Sequence, residues 1–112
     1  MVKNLNNTKN SNVKTKRRFK MNLGLKGKRA IITGASRGIG KACALALAAE
    51  GAEACITARN QKLLAEIQND INSSLGKCIF VVADLTEISE CEKVVDYCNN
   101  NFGGIDILIN VA

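Results

Sequence analysis

The stretch Ile32-Thr33-Gly34-Ala35-Ser36-Arg37-Gly38-Ile39-Gly40-Lys41 packs three glycines, a serine and two basic side chains into ten positions. It follows a β-branched run and precedes an Ala- and Leu-rich one, the order of a strand, a turn and a helix. Gly34 suits the backbone angles of a tight turn. Gly38 and Gly40 remove side chains where a pyrophosphate would approach the amides at a helix N-terminus. A mononucleotide phosphate loop would need Gly-x4-Gly-Lys followed by Ser or Thr. Counting back from Gly40-Lys41 puts Ala35 at the first glycine, and Ala42 stands where the magnesium-binding hydroxyl belongs. That reading fails at two positions. An ordinary strand-to-helix turn has no use for three glycines at this spacing.

Alternating elements must hold the loop. Arg29 to Thr33 reads as a short strand. Ile39 to Glu50 has strong helix propensity and stops at Gly51; its small apolar residues run nearly all round it and predict close burial against a sheet. Glu53 to Thr57 is the next strand. Asn60 can cap a helix running to about residue 72, with Leu63, Leu64, Ile67 and Ile71 on one face. Lys77 to Ala83 is an apolar run of the kind buried on both faces of a parallel sheet. Thr86 is expected to cap a further helix, with Ile88, Cys91, Val94, Val95 and Cys98 facing inward and Gly103-Gly104 ending it. Ile105 to Val111 reads as a fourth buried strand. The order β-α-β-α-β-α-β implies an α/β fold: a Rossmann-type, doubly wound parallel sheet, truncated after the fourth strand, with right-handed crossovers. Its ligand belongs at the carboxyl ends of the strands.

Thr33-Gly34-Ala35-Ser36-Arg37-Gly38-Ile39-Gly40 resembles the T-G-x-x-x-G-x-G cofactor motif of the short-chain dehydrogenase/reductase family. The resemblance continues in register through Ala58-Arg59, Ala83-Asp84-Leu85 and Ile109-Asn110-Val111-Ala112, and covers residues 23 to 112. It implies that Gly34, Ser36, Arg37, Gly38, Ile39 and Gly40 line the adenosine and pyrophosphate of a dinucleotide. It further implies that Asp84 and Leu85 lie against the adenine, and that Asn110 and Ala112 approach the ribose side. Asp84 also has a plain reading as a helix-entry residue.

Charge chooses between the two dinucleotides. NAD wants a carboxylate at the end of the second strand for its ribose 2′-hydroxyl, whereas a carboxylate there would repel the 2′-phosphate of NADP. Here the position holds Ala58, with Arg59 next and Arg37 in the loop. Two guanidiniums can give a phosphate bidentate, charge-assisted hydrogen bonds, and NADP (NADPH) is the expected cofactor.

The family's chemistry is hydride transfer between nicotinamide and a carbonyl or alcohol, with a Tyr and a Lys four residues on as acid/base, a Ser that orients the substrate and an Asn in a proton relay. Tyr97 is the only tyrosine and is followed by Cys98-Asn99-Asn100-Asn101, so no Y-x-x-x-K is present and no catalytic residue is assigned. Val111 departs from the family's N-N-A-G signature. The opening LGLKGKRAIITGASRGIGKACALALAAEGA is most similar to 3-oxoacyl carrier-protein reductases. The chain is expected to be the cofactor-binding part of such an oxidoreductase: inactive alone, prone to self-association through an uncovered fourth strand, and drawn from a homo-oligomeric parent acting on a small carbonyl or alcohol. A second reading is a non-catalytic module that binds a dinucleotide or a partner.

The 112 residues allow one modest domain. Of sixteen Lys and Arg, seven fall within residues 1 to 20, which hold no acid, so the remainder carries a net charge of −1. The basic character belongs to a tail, MVKNLNNTKNSNVKTKRRFK, expected to be disordered or to precede a true start at Met21; residues 21 to 112 form the partial NADP-binding domain. Nucleic-acid binding is not expected of a near-neutral body with few aromatics. No apolar run is long enough for a membrane span or a secretory signal. The five cysteines form no C-x-x-C pair and histidine is absent, so no metal site is expected and the thiols read as reduced packing residues of a cytoplasmic protein.

Overall fold

The computed structural model describes residues 24–74 and 76–111. The expectations for the basic tail and for Ala112 lie outside the described residues. Four parallel strands form one sheet in the order β3-β2-β1-β4, with β1 at Arg29–Thr33, β2 at Glu53–Ala58, β3 at Lys77–Val82 and β4 at Ile107–Ile109. The connecting helices are α1 (Gly38–Ala49), α2 (Gln61–Ser74) and α3 (Ile88–Phe102). Asn60 caps α2 as expected, its Oδ1 accepting from the Leu63 N–H at 3.0 Å.

The two faces of the sheet carry separate cores. Ala44 and Ala48 of α1 and Leu64, Ile67 and Ile71 of α2 pack on Ala30, Ile32, Ala54 and Ile56. On the other face Val94 and Cys98 of α3 pack on Ile31, Cys55 and Ala83. The small residues Gly40, Ala44 and Ala48, four apart, put α1 close to the strands. Helix α1 is nevertheless not buried all round: Ile39, Leu45 and Ala46 are exposed.

Three local expectations are corrected. Helix α3 begins at Ile88, and Thr86 does not cap it. The Thr86 hydroxyl and N–H both donate to Asp84 Oδ1, at 2.7 and 3.0 Å, because a carboxylate two residues earlier is the nearer and stronger acceptor. Ile88 and Val95 are 78% and 42% exposed, not inward. An apolar arc wider than one helix's contact line cannot all meet the sheet, so its border faces outward. The fourth strand is shorter than Ile105 to Val111, and Leu108 on it is 65% exposed.

The two sheet edges differ. At β3 the Asn72 carboxamide imitates a neighbouring strand: Oδ1 accepts from the Cys78 N–H (2.9 Å) and Nδ2 donates to the Cys78 carbonyl (3.3 Å), which also accepts from Gln68 Nε2 (3.2 Å). Strand β4 is held to β1 at its start. Asp106 accepts from the Arg29 backbone N–H (2.9 Å), from Nε (2.8 Å) and from an Nη (3.2 Å), while the Asp106 N–H donates to the Arg29 carbonyl (2.7 Å).

These donors hold the Asp106 carboxyl well below the usual carboxylate range, at about 2, the Arg29 side-chain hydrogen bond being the largest cause. A carboxyl with a lowered folded-state pKa adds stability that is full above its unfolded value and lost as pH falls through the folded one. Thermal melts are therefore expected to lose stability between roughly pH 4 and pH 2. Asp106→Asn should flatten that limb and lower the melting temperature at neutral pH.

Thr57 is fully buried on β2 beside Thr33, and its hydroxyl has no hydrogen-bond partner among the described residues. Replacing an unsatisfied buried hydroxyl by a methyl removes its desolvation cost, so Thr57→Val is expected to stabilise the chain by about 1 kcal/mol in denaturant titrations.

Candidate functional site

The loop between β1 and α1 is built by close approach. Gly34 has φ of +60°, and a Cβ there would stand 2.5 Å from the Val111 carbonyl oxygen. Gly40 is buried in the first turn of α1, where a Cβ would run into the Gly34 carbonyl. The Ala35 N–H donates to the Thr57 carbonyl at 3.2 Å, which ties the loop to the end of β2. At Gly38, the first residue of α1, a Cβ would meet nothing within 4 Å, so the surface in front of the helix is open. Arg37 is the extended N-cap residue of α1 and makes no side-chain cap. The Lys41 N–H bonds to the Arg37 carbonyl (3.3 Å), so the Gly38, Ile39 and Gly40 amides precede that bond at the positive end of the helix. This cradle fits a pyrophosphate.

All four strands run in one direction, so the segments that follow them share one edge of the sheet. Arg37 and Arg59 are exposed there, following β1 and β2, and Ser36 is half-buried. Asp84 and Leu85 follow β3, half-buried, and the Ala83 N–H donates to the Ala58 carbonyl at 3.0 Å. Hydrogen bonds from the Thr86 hydroxyl and N–H keep the Asp84 carboxyl below its ordinary range, and the nearby Arg59 charge adds to this. One Asp84 oxygen is thus engaged in its own turn.

Asn110 follows β4. Its Oδ1 accepts from the Thr33 hydroxyl at 2.7 Å, and Thr33 Oγ1 in turn accepts from the Val111 N–H at 2.9 Å. Ile39 turns its side chain to the surface, 72% exposed, so only its backbone belongs to the cradle. Sequence reasoning did not single out Thr33 as a site residue, although it opens the glycine motif. Nor did it single out Glu90, whose Oε1 accepts from the Asp84 N–H at 3.2 Å.

Two of the thiols, Cys55 and Cys78, are buried in the core and held protonated. All five are free, and burial pushes Cys55 and Cys78 up to about 12. Among the described residues no helix is long and apolar enough to cross a membrane.

A parallel sheet in this strand order, with a glycine loop opening α1 and polar groups at the strand ends, defines a Rossmann-type dinucleotide-binding protein. The chain belongs to the short chain dehydrogenase family, whose sequence pattern matches residues 28–112. It is 39% identical over 88 residues to a short chain dehydrogenase of Pseudocercospora fijiensis, covering 79% of this chain and 28% of that protein. The crystal structure of hydroxysteroid dehydrogenase from Escherichia coli superposes with a TM-score of 0.75 at 34% identity, covering 77% of this chain and 37% of that one. A metagenomic short-chain oxidoreductase in complex with NADP superposes with a TM-score of 0.74 at 33% identity, covering 79% and 40%. The chain thus spans roughly a third of the length of these relatives.

Proposed function

We propose that residues 21–112 are the NADP(H)-binding part of a short-chain oxidoreductase that passes hydride between nicotinamide and a carbonyl or alcohol. The observation that carries the reading is the end of β2, where Ala58 and the exposed Arg59 stand in place of a carboxylate, at the same sheet edge as Arg37. The amides opening α1, with Ser36, take the pyrophosphate. Asp84 and Leu85 border the adenine, and Asn110, held by Thr33, borders the ribose. The cofactor supplies the hydride when bound. This chain's residues bind and orient it; Tyr97, exposed on α3, has Asn101 and not a lysine four residues on, which supports binding without turnover.

Of possible substrates, a 3-oxoacyl thioester is the one implied by the resemblance of the segment around the glycine loop. One relative is named for hydroxysteroids, so both classes belong in a substrate panel for a longer form of the protein. For a longer form of the protein, the family resemblance implies a cytoplasmic homo-oligomer. The exposure of Leu108 on β4 supports self-association of this chain.

The test is a calorimetric titration of the chain with NADPH and NADH. Binding of NADPH at least tenfold tighter than NADH supports the reading, whereas equal affinities overturn the NADP assignment. Absence of binding to either favours the alternative, a partner-binding module.

A further inference from the structure

The loop between β3 and α3 has a fastening that the dinucleotide motifs do not account for. Glu90 lies in the first turn of α3, and its Oε1 accepts from the Asp84 backbone N–H at 3.2 Å across six positions of chain. The same oxygen accepts from Lys93 Nζ at 3.2 Å, which holds the carboxylate in place from the next turn. Asp84 itself is turned back by its bonds to Thr86, and its carbonyl accepts from the Glu87 N–H at 3.1 Å. The Asp84-Leu85 segment is thereby fixed from both sides: by the Ala83 N–H to Ala58 at the strand, and by Glu90 at the helix.

We infer that Glu90 is a positioning residue, which sets the Asp84-Leu85 loop for the adenine end of the dinucleotide through the Asp84 N–H. This rests on the function proposed above for the loop, but the fastening itself is a property of the free chain. Without an acceptor at position 90 the half-buried Asp84 amide would lose its bond, and the loop would be ordered only at the moment of binding, weakening affinity. The requirement is for an acceptor oxygen and not for charge. Glutamine can therefore replace glutamate, whereas alanine or methionine cannot. Both latter residues are good helix formers and leave α3 intact.

The experiment uses the full 112-residue chain and its Glu90→Ala, Glu90→Met and Glu90→Gln variants. Two readouts are taken: amide hydrogen exchange resolved at Asp84, and titration with NADPH. Loss of one hydrogen bond predicts roughly tenfold faster exchange at Asp84 in the alanine and methionine variants. Their NADPH dissociation constants should rise about three- to tenfold, with Glu90→Gln near wild type in both readouts. A merely structural role would lower the melting temperature without this split between acceptor and non-acceptor variants. Unchanged exchange at Asp84 in Glu90→Ala and Glu90→Met overturns the inference whether or not NADPH binds. Faster exchange with an unchanged NADPH affinity overturns it as well. If the wild-type chain binds neither NADPH nor NADH, the function proposed for the site fails, and with it the positioning role; exchange at Asp84 then reports only the fastening.

Discussion

Gly40→Ala is expected to abolish tight dinucleotide binding and to lower the melting temperature. The added carbon would enter the Gly34 carbonyl and come within 3.0 Å of Ala35 Cα, so backbone must move against backbone. Overpacking of a filled interior costs about 1–3 kcal/mol, and a clash that no side-chain rotation can relieve belongs at or above the upper end. The loop would withdraw from α1, and the helix-opening amides would lose their convergence. A dissociation constant for NADPH raised by at least ~30-fold corresponds to about 2 kcal/mol of that loss. Gly38→Ala is the internal control. A Cβ there meets nothing within 4 Å, and only the positive φ of +59° is strained. That strain costs about 1–2 kcal/mol, so Gly38→Ala should bind less well than wild type but better than Gly40→Ala. The reverse order in a calorimetric titration would show that the cradle is not formed by the Gly34–Gly40 contact.

The second large effect concerns charge at the end of β2. Arg59→Ala is expected to weaken NADPH binding about ten- to a hundredfold, the range of one charge-assisted hydrogen bond or a bidentate pair, while leaving NADH within about twofold. Combining it with Ala58→Asp should reverse the preference, since a carboxylate accepts from a ribose 2′-hydroxyl and repels a 2′-phosphate. The discriminating quantity is the ratio of the two dissociation constants. If Arg59→Ala weakened both dinucleotides equally, Arg59 would serve a shared part of the ligand, and the 2′-phosphate assignment would fall.

Much of this architecture is legible from short-range signals. The Asn60 cap acts over three residues, and the glycine spacing is complete within eight. Where two local partners compete, the outcome was less legible: Asp84 takes both Thr86 donors, so the expected cap became a turn and α3 starts later. Periodicity marks the apolar arc of α3, but not how wide a part of it a single helix on that face can cover, and Ile88 and Val95 fell outside the cover. The Asn72 amide on the β3 edge and the Arg29–Asp106 fastening had no signal in composition or spacing.

By itself the sequence determined the order of elements, the glycine spacing of the loop after β1 and the lack of a carboxylate after β2. Each of these is a property of neighbouring residues and follows from their local conformational preferences. Only the tertiary structure decided that β1 lies between β2 and β4, which draws the four strand ends to one edge. It alone decided that Thr33 holds Asn110 across 77 positions and that Glu90 holds Asp84. Such contacts depend on which strands become neighbours when two apolar faces are buried at once, and that is settled by packing of the whole sheet.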